Sequence, residues 1–469
     1  MAISTERARA SYADAEPTPF WLDRPDAPSP CSPLDGPATA DLAIVGGGYT
    51  GLWTAIHAKE EDPGRDVVLV ERDTIAFGAS GRNGGFCDAT LTHGLENGLS
   101  RFPDEIDRIE AVGRESFRGL TETIARHGIE CDWVTSGEVG VATEPHQVDW
   151  LREAAHHGRA RGLDSVFLDR DQVRAKLNSP SILAGVWKRD HCAMVDPARL
   201  AWGLKRVALE LGVRIHETTP VTDLASTGSG VRLGAPAGHI DARRVVLGTN
   251  GFTPLVRSIR RYVVPVYDYV LVTEPLSEVQ RDAIGWAERQ GFADSTNHFH
   301  YFRTTEDGRI LWGGYDAIYH FANGVRPEFE QRDATFSLLA RQFFDMFPQL
   351  EGLRFSHRWG GVIDTCSRFS VMFGTALDGK VAYAVGYTGM GVAATRFGAR
   401  TALDLVDGRD TERTRLRLVR SKPIPFPPEP LRWAGIHLTT RALTRADERE
   451  GRRGPWLRLL DSVGLGFDS

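Results

Sequence analysis

The sequence predicts an α/β fold in which a parallel-sheet domain, assembled from separated segments, is interleaved with a second, largely antiparallel α+β domain. Three observations point there. Residues 41–45 form a short apolar run that ends in glycines and leads into a helical stretch, and a second apolar run returns at 67–70, which makes one βαβ unit. Helix–strand units recur around residues 196–247 and 381–391. Between them the pattern is strand-like with hairpin signals, Asp307-Gly308 among them.

In chain order, residues 1–38 read as an arm. Prolines from Pro17 to Pro37 forbid regular structure there, and Phe20-Trp21-Leu22 reads as an anchor laid on the body. A strand at 41–45 precedes a helix at 49–61, closed by Pro63-Gly64, and the strand 67–70 ends at Glu71. Ile106, Ile109, Val112, Phe117, Leu120 and Ile124 recur at helical spacing within 103–127, stopped by Gly128. Asp196-Pro197 reads as a cap with proline at the first helical position, and Gly212 ends that helix. Strands follow at 213–215, 230–233, 244–247, 262–272 and 299–314, then at 381–385 before a helix that begins after Gly391. Five prolines between Pro423 and Pro430 form a strap, followed by an arginine-rich helix expected to pack on the protein or on a partner subunit rather than on a membrane.

With 469 residues the chain is too long for one small module. A hydrophobic share of 41% with 25% charged residues excludes wholesale disorder. The net charge of −6 gives no reason to expect nucleic acid or an anionic membrane as partner. Five scattered cysteines with no C-x-x-C support neither a zinc ribbon nor a disulfide framework. The absence of a long apolar run makes a soluble, cytoplasmic protein the expectation.

Gly46-Gly47-Gly48-Tyr49-Thr50-Gly51 is a G-x-G-x-x-G between a strand and a helix. Its glycines serve the tight turn, the approach of backbone to a pyrophosphate, and the close packing of helix on strand. The helix N-terminus offers N–H groups and a positive dipole end to phosphates. Glu71, at the end of the next strand, stands where a carboxylate accepts ribose hydroxyls. This is a Rossmann-like dinucleotide site; Arg72 hints at a 2′-phosphate that Glu71 would repel. A second block, Gly78-Ala79-Ser80-Gly81-Arg82-Asn83-Gly84-Gly85, combines small residues with donors at Ser80, Arg82 and Asn83. It departs from a nucleophile elbow because Arg82 replaces the last glycine. A third, Gly386-Tyr387-Thr388-Gly389-Met390-Gly391, runs from a strand into a helix start that can hold negative charge.

With these three blocks the chain resembles the D-amino-acid oxidase-like FAD oxidoreductases, on the side of the gamma-glutamylputrescine oxidoreductase-like members, from Asp41 to about Asp407. Gly248-Thr249-Asn250-Gly251 and Arg358-Trp359-Gly360-Gly361 support it. The resemblance implies FAD extended through a discontinuous domain (39–95, 190–260 and 365–410), with its ring against a substrate domain (96–189 and 261–364) and a C-terminal region at 411–469. Residues and resemblance together assign the cofactor to Gly46, Gly48, Tyr49, Thr50, Gly51, Glu71, Arg72, Ala79, Ser80, Arg82, Asn83, Gly84, Val221, Thr249, Gly361, Gly389, Met390 and Gly391. Val221 matches a backbone contact to adenine, and residues 389–391 face the flavin N1–C2 carbonyl edge. Relatives that attach flavin covalently use a cysteine at the position of Gly361 or a histidine in the loop 78–85; neither is present, so non-covalent FAD is expected. An oxygen-activating lysine of some relatives aligns with Trp312, which leaves oxidase and dehydrogenase both open, with oxygen or another electron acceptor.

The implied reaction oxidises a C–N bond of a small amine or amino acid by hydride transfer to flavin N5, giving an imine that hydrolyses. A hydroxy-acid or polyol dehydrogenase, and a nucleotide-binding structural protein without redox activity, are the alternatives. For the substrate pocket the candidates are Tyr267, Tyr269, Tyr301, Arg303 and Trp359: aromatic walls for the apolar part and an arginine for a carboxylate. The alternative is core aromatics with a surface arginine. His298 and His300 lack a third ligand for a metal. His156-His157 reads as a solvated helix face. Gly374 to Lys380 mimics a phosphate loop, but Val381 stands where Ser or Thr belongs, so Asp378-Gly379 reads as a hairpin turn.

Overall fold

The computed structural model describes residues 3–466. Its arm is more ordered than the prolines predict, because they begin only at Pro17. Upstream of them Thr5–Tyr12 coils into a helix capped by Ser4, whose side chain accepts from Arg7 N. Tyr12 is buried on the helix Asp333–Met346, its hydroxyl donating to Asp333 Oδ1 at 2.8 Å. Trp21 is the expected anchor: it is 2% exposed and its Nε1 donates to the Asn83 carbonyl at 3.0 Å.

The first sheet has eight strands. Ala38–Val45 lies at its centre, parallel to both Val67–Val70 and Gly238–Leu247, the latter in turn parallel to Val381–Val385. Strands covered on both faces read as unbroken apolar runs, as Val67–Val70 does. Helix Tyr49–Glu61 is buried for eleven of its thirteen residues because helices Pro197–Glu210 and Gly391–Val406 both pack on it. Asp196 caps the former through Arg199 N at 3.0 Å. Met372–Ala376 pairs antiparallel with Val381–Val385 through a turn in which Leu377, Asp378 and Gly379 all have positive φ, the hairpin reading of that segment.

A nine-stranded sheet forms the second half. It is antiparallel except where Gly291–Asp294 runs parallel to Glu138–Ala142. Its longest pairing joins Val263–Thr273 to Phe355–Cys366. Side chains alternate along Val263–Thr273, so Tyr267, Tyr269 and Leu271 turn to a core completed by Phe336 and Phe343 of helix Asp333–Met346. Val264, Val266, Asp268 and Val270 line the opposite side, towards the first sheet.

The C-terminal strap packs on the body: Phe426 N donates to Arg261 O at 2.7 Å and Ser367 Oγ to Ile424 O at 2.6 Å. Helices Leu431–Asp447 and Pro455–Ser462 follow, the first held where Asn297 N donates to Asp447 Oδ1 at 2.9 Å. Among the described residues no helix is long and apolar enough to cross a membrane.

Candidate active site

A single cavity of about 1690 Å³ runs from the glycine turn of the first sheet to the floor of the second. At its nucleotide end the backbone decides everything. Gly46 has φ +111°, and a Cβ there would sit 2.4 Å from the Gly248 carbonyl oxygen. A Cβ on Gly51 would sit 1.9 Å from Gly46 O. Gly48, Tyr49 and Thr50 line the cavity at the helix start, where Gly48 provides no side-chain cap and Tyr49 N donates to Ser80 Oγ at 2.9 Å. The Glu71 carboxylate accepts from Gly47 N at 2.6 Å and Asp73 N at 2.9 Å, so it also braces the turn. Burial pushes its pKa up against those two bonds. Arg72 also lines the cavity; its Nε donates to Asp73 at 2.8 Å and its guanidinium lies 4.7 Å from the Phe252 ring centre.

Val221 and Thr249 line the same channel, and Thr249 Oγ1 is buried with no protein partner. That orphaned hydroxyl and the glycine turn at the helix start fit a dinucleotide lying along them. Ala79, Ser80, Gly84, Gly361, Gly389, Met390 and Gly391 complete this lining. The nearest atom to a Cβ on Gly361 would be 3.5 Å away, so the cavity wall is open there.

Two loop residues read as ligand donors work for the loop instead. Arg82 lines the cavity, but its Nε donates to Phe77 O at 2.7 Å and its Nη1 to Glu330 at 2.6 Å and Gly360 O at 3.1 Å. Asn83 Nδ2 donates to Ala79 O and Ser80 O, and its Oδ1 accepts from Gly85 N. Asp364, which sequence reasoning passed over, carries the third block: its Oδ2 accepts from Gly386 N at 2.6 Å, and burial pushes it up to about 7.

On the substrate side three expectations are corrected. Arg303 is fully buried; its Nη1 donates to Val195 O at 2.6 Å and Gly85 O at 3.2 Å, and Asp132 Oδ2 lies 3.4 Å from Nη2. Burial lowers it to about 10, and no face of it reaches the cavity. Trp359 is buried too, its Nε1 donating to Arg82 O at 3.0 Å, so it supports the loop from behind. Tyr269 gives its hydroxyl to Phe329 O at 2.7 Å in the helix-covered core. Tyr267 reaches the lining, but its ring packs in that core and its hydroxyl donates to Arg326 O at 3.2 Å. Alternation along the strand turns the faces of its tyrosines into the core and hands the cavity to Asp268.

Tyr301 does face the cavity. Its ring is packed so closely on Gly84 and Gly313 that a Cβ on either would lie 2.5 Å from it. Its hydroxyl donates to Asp268 Oδ2 at 2.6 Å. Burial raises Asp268 to about 6, against the pull of that bond, of the Tyr269 and Gly314 amides and of His300. Trp312 turns away into the aromatic core, stacked on His300 at 4.6 Å. His298 lines the cavity with Nδ1 on Tyr315 O, whereas His300 Nδ1 is bound to Asp294 Oδ2 at 2.6 Å. The far end holds Asp88, Glu138 and Lys188, whose ammonium is 3.8 Å from Glu138. Burial, then the charge of Glu138, lifts Asp88 to about 7. His156 and His157 are exposed on helix Pro145–Ala160. The C-terminal helices cap the cavity with Ile436, Leu443 and Trp456, a contribution not visible in their composition.

Residues 41–405 match the family described as FAD dependent oxidoreductase. Gamma-glutamylputrescine oxidoreductase of Escherichia coli is 31% identical over 82% of this chain and 87% of its own length. A probable oxidoreductase, OrdL, of Haemophilus influenzae is 25% identical over 86% of this chain and 89% of its own. Among solved structures, glycine oxidase from Geobacillus kaustophilus superposes with a TM-score of 0.67 at 19% identity, covering 80% of this chain and 96% of that one. That last likeness is one of fold.

Proposed function

Since the chain belongs to the family of FAD dependent oxidoreductases, we propose that it oxidises a C–N bond in a small amine or amino acid, with an imine product that water hydrolyses. The observation that carries this reading is the single cavity, which joins a dinucleotide channel to a floor where Asp268 and Tyr301 present a carboxylate beside apolar Val264, Val266 and Val270. An apolar trough with an anion suits an alkyl amine. The Escherichia coli relative is a gamma-glutamylputrescine oxidoreductase, in keeping with an amine substrate.

Glycines 46, 48 and 51, Glu71, Thr249 and the turn 386–391 would hold FAD. Val221, Arg72, Ala79, Ser80, Gly84, Gly361 and Met390 complete its surroundings. When bound, FAD supplies the two-electron acceptor for the substrate hydride. The chain's own residues do the rest. The helix start at Gly48 faces phosphate charge with its positive dipole end, while Tyr49 N is held by Ser80 Oγ. Asp364 fixes the turn at Gly386, and Tyr301 fixes Asp268. The C-terminal helices restrict water at the substrate end. FAD is held without a covalent bond, since Gly361 and the loop 78–85 offer no cysteine or histidine.

The test is direct. Purified protein is expected to be yellow, to release FAD into the supernatant on acid or heat precipitation, and to bleach anaerobically with an amine or amino acid. Colour that stays with the precipitate would overturn non-covalent binding. A flavoprotein that no amine or amino acid bleaches would overturn the reaction.

A further inference from the structure

On the cavity side of strand Val263–Thr273 the residues are Val264, Val266, Asp268, Val270 and Val272, so Asp268 is the one ionisable group on that face. Across the strand pair it stands opposite Gly361, and residues 361–367 continue from there along the cavity wall towards the turn 386–391. The acid therefore sits where the substrate floor meets the nucleotide half. Tyr301 clamps it: the hydroxyl bond to Oδ2 is 2.6 Å and the ring is wedged against Gly84 and Gly313, while the Tyr269 and Gly314 amides also favour the charged form and the residue still lines the cavity. The neighbouring arginines are committed elsewhere, Arg82 to Glu330 and loop carbonyls, Arg303 to three carbonyls and Asp132. A carboxylate of a ligand finds no partner here; a cation does.

We propose that Asp268, positioned by Tyr301, receives the substrate's ammonium group and takes its proton. This rests on the amine-oxidising reading above. In the step, R–CH2–NH3+ gives a proton to the Asp268 carboxylate, leaving R–CH2–NH2 and a neutral carboxyl. The freed lone pair becomes the second bond of C=N as the carbon's hydrogen leaves with its electron pair for the oxidised flavin. The product R–CH=NH2+ takes up one water to give an aldehyde and ammonium, and Asp268 returns its proton to solvent. A protonated amine has no lone pair and cannot start this sequence. Raised to about 6, Asp268 is ionised at neutral pH yet basic enough to accept a proton there. The titratable and charged groups around it are Tyr301 and His300 on strand His300–Thr304, Tyr315 and Asp316 beyond strand Ile310–Gly314, and Arg82 with Glu330 on the loop side.

The experiment uses the full FAD-loaded chain. Asp268→Asn is expected to slow anaerobic flavin reduction by a primary amine at pH 7 by about 100-fold or more. The deficit shrinks as pH approaches the amine's own pKa, where solvent supplies the neutral form. Tyr301→Phe keeps the carboxylate and is expected to lose about tenfold. A second readout needs no turnover. tert-Butylammonium has no hydrogen on the carbon beside nitrogen, and its affinity for the wild type should rise roughly tenfold per pH unit below about pH 6, then level. Asp268→Asn should bind it weakly with no such limb. Equal reduction rates in wild type and Asp268→Asn, or tert-butylammonium binding that neither pH nor the asparagine alters, would overturn the assignment. If no amine reduces the wild-type flavin, the reaction reading fails, while the binding measurement still decides the role of Asp268.

Discussion

The two ends of the cavity are built from different material. At the nucleotide end the shape is made by backbone: Gly46 and Gly51 leave no space for a Cβ, Thr249 offers a hydroxyl, and Glu71 reaches back to Gly47 N. At the substrate end side chains make it, with Tyr301 over two glycines, Asp268 at its hydroxyl and valines around them. Backbone geometry tolerates almost no substitution, whereas a side-chain wall is changed by altering one group. A fixed cofactor end and an adjustable substrate end can then share one scaffold.

The sharpest way to break this comparison is Gly51→Ala. Its Cβ would lie 1.9 Å from Gly46 O, so the helix must move off the strand. FAD binding should be lost, with about 4 kcal/mol or more of stability, read by flavin content and denaturant unfolding. Retention of FAD would mean that the turn is not rigid. Arg303→Gln comes next. It leaves Asp132 with one cation fewer and three buried carbonyls underserved, at a cost of about 3 kcal/mol. Since Arg303 does not line the cavity, the variant's preference between an amine and the matching α-amino acid should be unchanged; a selective loss of the acid would restore it as a substrate residue.

Glu71→Ala is expected to weaken FAD binding by about 1.5–3 kcal/mol, measured as the flavin dissociation constant. Part of that loss belongs to the freed Gly47 N–H rather than to ribose, so Glu71→Gln, which keeps an acceptor for it, should lose less. The smallest effect tests the junction of the two ends. Asp364 titrates at about 7 when folded, above the usual unfolded value near 3.9. Folding therefore takes up a proton, so this contribution is full below about pH 4 and lost as pH rises through 7. Asp364→Asn mimics the protonated form while keeping an acceptor for Gly386 N. It should raise the melting temperature at pH 8, by the equivalent of on the order of 1–3 kcal/mol, and give no gain at pH 4. A stability gain that does not depend on pH would place the cause elsewhere.

The nucleotide half was legible because its constraints are local. Glycine spacing, the strand before it and the acid after it lie within about thirty residues, and each glycine is demanded by an atom of the same unit or its neighbour. The helix Thr5–Tyr12 is not legible from the arm's composition, because the prolines that dominate it begin only at Pro17 and do not act on the residues that precede them. The substrate half failed at Arg303, Trp359 and Tyr269, since residue type says what a pocket prefers and not which residues reach one. A signal for Asp268 was present: a lone acid in Val-Val-Pro-Val-Tyr-Asp-Tyr-Val-Leu-Val stands on the face opposite its two tyrosines.

The sequence by itself determined the glycine turn, the strand–helix units that carry it and the family, because each signal is a short stretch of consecutive residues, even where the atom that demands a glycine, as Gly248 O does at Gly46, comes from a distant strand. Which face of Val263–Thr273 meets the cavity depended on where helix Asp333–Met346 came to rest, some seventy residues later. That helix covered the tyrosines and left Asp268 to the cavity. Arg303 was likewise taken out of reach by carbonyls at Gly85 and Val195, far away in the chain. A buried cation must be paired wherever its partners arrive, and only the folded chain brings them together.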